Sequence, residues 1–347
     1  MKNICGIPFS EIVIHHDYRD RDNLAAVSCC SAWLKPPYST FSLPVIEDVN
    51  NNIDIMVTWN SEELKKFRET ILDGSYTYCI KESCPFWVNG KLPPVPEIAE
   101  HYIRNKIVQL EYPPISIKLG IDRACNLTCP SCRNTKNIIP KEATYKRTLS
   151  FFKSGAKVIS FSYSGEVFVN RYLLKILQEF SHSQFPDIEE LQVLTNGTAL
   201  SKTLWYSLSN DFKAILTDLC ISLDSPNELT YNKLRVGGNY QALHKNIEFL
   251  SSLRTTGELK QLTLMCVLQK INVIELVEFV NYAIKVKANS LIIHKIEHWG
   301  HKDKSYFDEH LGLPKDWQVK YAEIIKEAIN LIKLHNIKLV SNVIKLD

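Results

Sequence analysis

Gly120-Ile-Asp-Arg-Ala-Cys125-Asn-Leu-Thr-Cys129-Pro-Ser-Cys132-Arg-Asn134 begins inside the apolar, β-branched run Ile115–Ile121 and sets three thiols within eight residues. Such a run reads as a strand, and a loop leaving its carboxyl end with three soft ligands reads as a metal-binding loop. An iron–sulfur cube has four irons, so three thiolates leave one iron without a protein ligand and open to a reacting molecule. Structural zinc wants a fourth protein ligand, and the next cysteine along the chain is Cys220. A disulfide with one spare thiol requires an oxidising compartment, which nothing in the sequence indicates.

Outward from this loop, the chain from Pro113 alternates short β-branched runs with longer helical patterns, the signature of βα units and a parallel sheet. Strands are expected at Ile115–Ile121, Val158–Tyr163, Leu191–Leu194, Leu219–Leu223, Leu262–Leu268 and Leu291–Ile296. Lys141–Ser154 reads as a helix ended by Gly155, and Ile337–Ile344 as one more short strand. Asp316–His335 spaces Trp317, Tyr321, Ile324, Ala328 and Leu331 as one amphipathic helix. Chemistry in such an α/β architecture sits at the carboxyl ends of the strands. Those ends carry Ser164-Gly165-Glu166, Thr195-Asn196-Gly197 and Cys220-Ile-Ser222-Leu-Asp224, followed by Arg235 in Tyr231-Asn-Lys-Leu-Arg-Val-Gly-Gly238.

The spacing Cys-x3-Cys-x2-Cys, with Cys-Asn-Leu at its start and Cys-Arg-Asn at its end, resembles the radical S-adenosylmethionine (SAM) superfamily. The resemblance implies a partial (β/α)6 TIM-like barrel over residues 111–347 and a 4Fe-4S cluster on Cys125, Cys129 and Cys132, with SAM chelating the fourth iron. It further implies reductive cleavage of SAM to methionine and a 5′-deoxyadenosyl radical that takes a hydrogen atom from substrate. A reducing partner such as a flavodoxin or ferredoxin follows from that chemistry. Ser164, Gly165 and Glu166 are similar to the family's Gly-Gly-Glu, which holds the SAM amino group. Asn196 lies in a turn whose equivalent is near the cofactor. Ser222 matches the serine of the family's Ser-Leu-Asp, and Arg235 an arginine that pairs with the methionyl carboxylate. Ser131 departs from the pattern, standing where the family has an aromatic or large apolar residue beside the adenine.

The first ~110 residues do not read as βα units and carry five of the ten cysteines. Cys79 and Cys84 flank a short loop, and Cys5 with Cys29 or Cys30 completes four thiolates, a set for a second iron–sulfur cluster or for zinc. Cys5-Gly-Ile-Pro-Phe9, Val27-Ser-Cys-Cys30, Trp59-Asn-Ser61 and Cys79-Ile-Lys-Glu-Ser-Cys-Pro85 together resemble the SPASM or twitch module, which implies an auxiliary cluster in a small N-terminal domain, residues 1–110. Asn60 followed by Glu63 reads as a capping box, and Leu64, Phe67 and Ile71 as the buried stripe of its helix.

Two cysteines on expected strands, Cys220 and Cys266, stand outside both sets. Some relatives that invert stereocentres use a lone thiol to return a hydrogen atom; small core hydrophobes are the other reading. Cys220 shares its strand face with Ser222 and Asp224, whereas the direction of Cys266 is open. Asp224, Gln269 and the run His294-Lys-Ile-Glu-His-Trp-Gly-His301 are further candidates for substrate contact or proton transfer.

Across 347 residues, 45% hydrophobic and 23% charged content is that of an ordinary globular chain. A net charge of +3 supplies no basic field of the kind nucleic-acid binders show. No apolar run has the length of a membrane span, and Met1–Pro8 has no apolar signal core, so a reducing cytoplasmic setting without membrane partners is expected. The substrate reading places a peptide or protein residue slightly ahead of a sugar or aminocyclitol, with oxidation, bond formation or epimerisation as outcomes. A non-catalytic electron carrier or scaffold is the rival from a different class.

Overall fold

The computed structural model describes residues 4–16, 24–30, 33–35, 43–45, 48, 52–161, 164–298, 302–341 and 343–344. The chain forms two compact units: residues 1–123, 140–165 and 171–192 make the first, and residues 124–139, 166–170 and 193–347 the second. Their divisions fall elsewhere than at 110/111.

In the first unit, β1 (Glu11–His16), β2 (Leu24–Val27), β3 (Leu43–Pro44), β4 (Ser116–Gly120) and β5 (Val158–Phe161) run in the order β3-β2-β1-β4-β5, and β6 (Glu190–Thr195) begins beyond β5. β1 pairs with β2 antiparallel and with β4 parallel, in a register from Glu11↔Ser116 to His15↔Gly120. This strand is not in the series expected from the sequence, whose first ~110 residues do not read as βα units. Ile12, Val13 and Ile14 are fully buried, each stabilising by roughly 1.5–3 kcal/mol, and a strand covered on both faces reads as a continuous apolar run.

The second unit takes the last residues of β6 and continues through β7 (Leu216–Ser222), β8 (Leu262–Leu268), β9 (Ser290–Lys295) and β10 (Lys338–Ser341), each pair from β7 onward parallel. Helices Glu228–Leu234, Tyr240–Thr256, Leu276–Lys285 and Ala322–Leu334 lie between these strands in the sequence. The strand–helix alternation from β4 to β9 is that expected of the partial (β/α)6 barrel, with β10 as the extra strand.

Two local expectations change. Ser61, not Asn60, caps helix Glu62–Leu72, its hydroxyl accepting from the Leu64 N–H. Asn60 is committed elsewhere: its amide donates to the Leu110 carbonyl and accepts from the Leu110 N–H, both at 2.8 Å. The expected buried stripe Leu64, Phe67 and Ile71 holds. The helix expected over Asp316–His335 is broken at Tyr321 into Trp317–Lys320 and Ala322–Leu334. Trp317, Ala328 and Ile332 are its buried residues.

Arg68 is the hub of the first unit's amino-terminal part. It is buried and, among the described residues, has no carboxylate partner; its nitrogens donate to the carbonyls of Pro8 at 2.8 Å, Val108 at 3.0 Å and Trp59 at 2.8 Å, and its guanidinium lies 4.2 Å from the Trp59 ring centre. Among the described residues no helix is long and apolar enough to cross a membrane.

Candidate functional site

Cys125, Cys129 and Cys132 all lie in the second unit, on the stretch 124–139. The loop is shaped by its own backbone: Cys132 and Arg133 N–H groups donate to the Cys129 carbonyl, and Cys125 N–H to the Asn137 carbonyl at 2.6 Å. A bond from Thr128 N–H to the Val236 carbonyl at 2.8 Å ties the loop to the segment after helix Glu228–Leu234. Cys125 and Cys129 are buried and Cys132 is exposed.

Donors face the thiols. The Leu127 N–H points at the Cys125 sulfur at 3.4 Å and the Asn196 amide approaches it at 3.8 Å. Arg235 Nη1 stands 4.0 Å from the Cys129 sulfur, and buried Arg133 is held by the charge of Cys132 and Cys125. Burial raises both inner thiols, Cys125 to about 11, with the arginines pulling the other way. Metal coordination removes the thiol proton, and the hydrogen-bond donors then satisfy the sulfur charge.

Beside the loop, Glu166 is buried and held on both oxygens. Thr195 Oγ1 and the Phe168 N–H donate to Oε1 at 2.6 and 3.3 Å, and the Asn196 N–H donates to Oε2 at 2.6 Å. Burial raises its carboxyl; the three donors lower it. Asn196 also donates to Asn126 Oδ1 at 2.9 Å, so the sequence candidates Glu166 and Asn196 and the loop residue Asn126 form one network with Thr195 and Thr198. Gly197, at φ +72, has no room for a side chain: a Cβ there would lie 2.6 Å from Leu243. Ser164, in the first unit, donates to the Gly120 and Asp122 carbonyls, and Gly165 has φ +78.

Strand register settles the directions of the other candidates. Ser222 pairs with Met265 and approaches its sulfur at 3.9 Å, so Cys220, Ser222 and Met265 share a face, and Cys266, one residue on, takes the opposite one. There its thiol donates to the Asp224 carbonyl at 3.3 Å. Burial pushes Cys220 and Cys266 well above the usual thiol range, so both are neutral S–H groups. Asp224 pairs with Arg235 through Oδ2 and Nε at 2.8 Å. Gln269 is buried with neither amide atom bonded among the described residues, and the His294 ring, opposite Val267, is pushed down to about 4 by burial. Trp299, Gly300 and His301 lie outside the described residues.

A second cysteine cluster lies wholly within the first unit. Cys5, Cys29, Cys79 and Cys84 line one cavity with Trp33, Phe67, Tyr76, Phe86 and Trp87, whereas Cys30 is not among its lining residues. The Tyr76 hydroxyl accepts from the Cys5 N–H at 3.0 Å. Burial raises all four thiols, Cys5 to about 12 and Cys79 to about 11. Lys118, paired with Glu11 at 2.7 Å, is held in its charged form by Glu11 first and then by Cys29 and Cys30.

Asn126, Thr195 and Arg133 were not singled out from the sequence. Asn126 and Arg133 stood in the quoted loop, where their neighbours were the only signal; Thr195 needed the partner it finds in Glu166.

No family model matches the chain. It is 30% identical over 139 residues to a probable GTP 3′,8-cyclase of Methanococcus maripaludis strain C6, covering 38% of this chain and 44% of that protein. The strain C5 protein of the same description is 31% identical over the same length. The chain thus spans less than half the length of these curated relatives. Streptococcus suis SuiB bound to its precursor peptide SuiA matches with a TM-score of 0.51 at 14% identity, over 98% of this chain and 72% of that one. SuiB bound to S-adenosylmethionine matches at 0.50 and 14%, over 82% and 62%. At such identity the likeness is one of fold. The three-cysteine loop that leaves β4 thus belongs to a chain whose fold is like that of SuiB, a protein whose structure has been solved with S-adenosylmethionine.

Proposed function

We propose that this chain is an enzyme that reductively cleaves SAM and takes a hydrogen atom from a peptide or protein residue, which is then oxidised, crosslinked or epimerised. The observation that carries the reading is the set of three thiols on one loop, each faced by an N–H donor or an arginine, beside a buried Glu166 held on both oxygens. Cys125, Cys129 and Cys132 would hold a 4Fe-4S cluster; with SAM bound, it supplies the one-electron cleavage that generates a 5′-deoxyadenosyl radical. Glu166, fixed by Thr195 and Asn196, offers its remaining acceptor capacity to the SAM amino group. Ser222 would be a further cofactor contact, and Arg235 places a cation at the same loop. Cys220, a neutral thiol on the Ser222 face, is suited to donate a hydrogen atom, which a thiolate cannot do.

Cys5, Cys29, Cys79 and Cys84 supply four thiolates from protein, the complement of a closed auxiliary cluster within segment 1–110. A zinc ion on the same four cysteines is the alternative, since sulfur ligands alone do not separate the metals. A flavodoxin or ferredoxin would be the electron source. The peptide reading is supported by the fold shared with SuiB, whose structure holds a precursor peptide.

Anaerobic reconstitution, dithionite reduction and a search for 5′-deoxyadenosine test the reading. Nucleoside formation with roughly eight irons per chain is expected, four per cube. No nucleoside from a chain with verified clusters would sink the enzyme in favour of an electron carrier.

A further inference from the structure

Asp224 and Arg235 form a built pair whose geometry the SAM-binding reading leaves unexplained. Asp224 is a non-glycine residue in the left-handed region, at φ +63. Such a backbone persists only where its surroundings over-determine it. Here they do so from five directions. Its N–H donates to the Met265 carbonyl at 3.3 Å, and its carbonyl accepts from the Asn272 amide at 2.9 Å and from the Cys266 thiol at 3.3 Å. Its Oδ1 accepts from the Val267 N–H at 2.9 Å, which leaves Oδ2 for Arg235 Nε at 2.8 Å. The side chains are 3% and 14% exposed. The arginine is fixed from its own side as well, its N–H donating to the Tyr231 carbonyl at 2.7 Å. With the guanidinium ion-paired to Asp224, Nη1 stands 4.0 Å from the Cys129 sulfur, while the neighbouring Val236 carbonyl takes the Thr128 N–H of the same loop.

A carboxylate so restrained is poorly placed to move a substrate proton, and a guanidinium aimed at a ligand sulfur is well placed to act on what that sulfur binds. Charge and hydrogen bonds at the sulfurs are among the determinants of iron–sulfur potentials. We propose that Arg235 raises the reduction potential of the cluster bound at Cys129, and that Asp224 is the positioning residue that aims Arg235 and partly offsets its charge. The proposal rests on the cluster assignment above. A cation near the sulfur favours the reduced, more negative cluster, so the two residues act with opposite sign.

The test is an EPR-monitored redox titration of the anaerobically reconstituted full chain. The loop cluster's signal is told from any auxiliary signal by its change on SAM addition; potentials are read without SAM, with iron content and circular dichroism as checks. Arg235→Gln is expected to lower the reduced-to-oxidised ratio at a given potential about tenfold, ~59 mV for a one-electron couple. Asp224→Asn is expected to shift it the other way, and Arg235→Lys, which keeps the charge, to stay nearer the wild type than Arg235→Gln. Unmoved potentials, or Arg235→Gln and Asp224→Asn shifting alike, would overturn the proposal alone. Should Arg235→Gln fail to load iron, the sign of the Asp224→Asn shift decides. A wild-type chain with no SAM-responsive cluster signal would overturn the cluster assignment, and this proposal with it.

Discussion

The two cysteine clusters are built in opposite ways. Cys125, Cys129 and Cys132 come from eight consecutive residues and are faced by polar groups: Asn196, Arg133 and Arg235 at the sulfurs, with Glu166 alongside. Cys5, Cys29, Cys79 and Cys84 come from eighty residues of chain and meet between aromatic walls. Three ligands with polar surroundings suit a site that must admit a charged, polar molecule; four ligands in an apolar cavity suit one that exchanges only electrons. The difference is one of chemistry as well as of spacing.

The comparison breaks most visibly at the loop. Cys129→Ala is expected to abolish 5′-deoxyadenosine formation completely while leaving roughly half of the iron on the chain, as each cube holds four. Iron loss from both sites would mean that they are not independent. Within the cavity, Cys29→Ser should cost roughly four irons and Cys30→Ser none, because only Cys29 lines it. The reverse pattern, read by metal analysis, would show that the cavity is not the ligand set.

Arg68 sharpens the contrast through stability. Arg68→Met leaves the carbonyls of Pro8, Trp59 and Val108 without donors, and unsatisfied buried groups cost about 1–3 kcal/mol each. A loss of roughly 3–5 kcal/mol in denaturant unfolding is expected, with thermal loss of the cavity cluster ahead of the loop cluster. A melt unchanged from wild type would remove Arg68 from its role as hub.

The smallest effect concerns pH. Burial holds His16, in the first unit, and His294, in the second, down to about 4. Around His16, Lys141, Arg123 and Arg147 add to the lowering while Asp122 opposes it. Because the folded rings titrate below the ordinary ~6.5, the unfolded chain binds protons first. Stability is therefore full above ~6.5, falls as pH drops toward about 4 by up to ~1.4 kcal/mol per pH unit for each ring, and loses nothing more from them below that. Unfolding midpoints from pH 7 to 4 check this, and His16→Phe, if it folds, should flatten the slope by one proton's worth.

Strands β4 to β10 were legible because a buried strand is written as a local β-branched run, and helix Glu62–Leu72 because its stripe repeats every turn. What failed to show was set by partners far along the chain. Asn60 looks like a cap until Leu110 claims its amide, and Ser61 then does the capping. The β1 run Glu-Ile-Val-Ile-His-His is short, and its identity as a parallel strand depends on pairing with β4, far along the chain. The expected helix over Asp316–His335 kept its periodicity, but the break at Tyr321 left no local mark.

By itself the sequence determined the three-thiol loop, the α/β series that carries it and the candidates behind each strand, since all are short-range patterns of residue type. Only the tertiary structure decided that Cys29 rather than Cys30 joins Cys5, Cys79 and Cys84, that Cys266 faces away from Ser222, and that Asp224 holds Arg235 toward Cys129. Adjacent residues and alternate strand faces differ in nothing that a linear pattern records; direction comes from the register and packing that bring distant segments together.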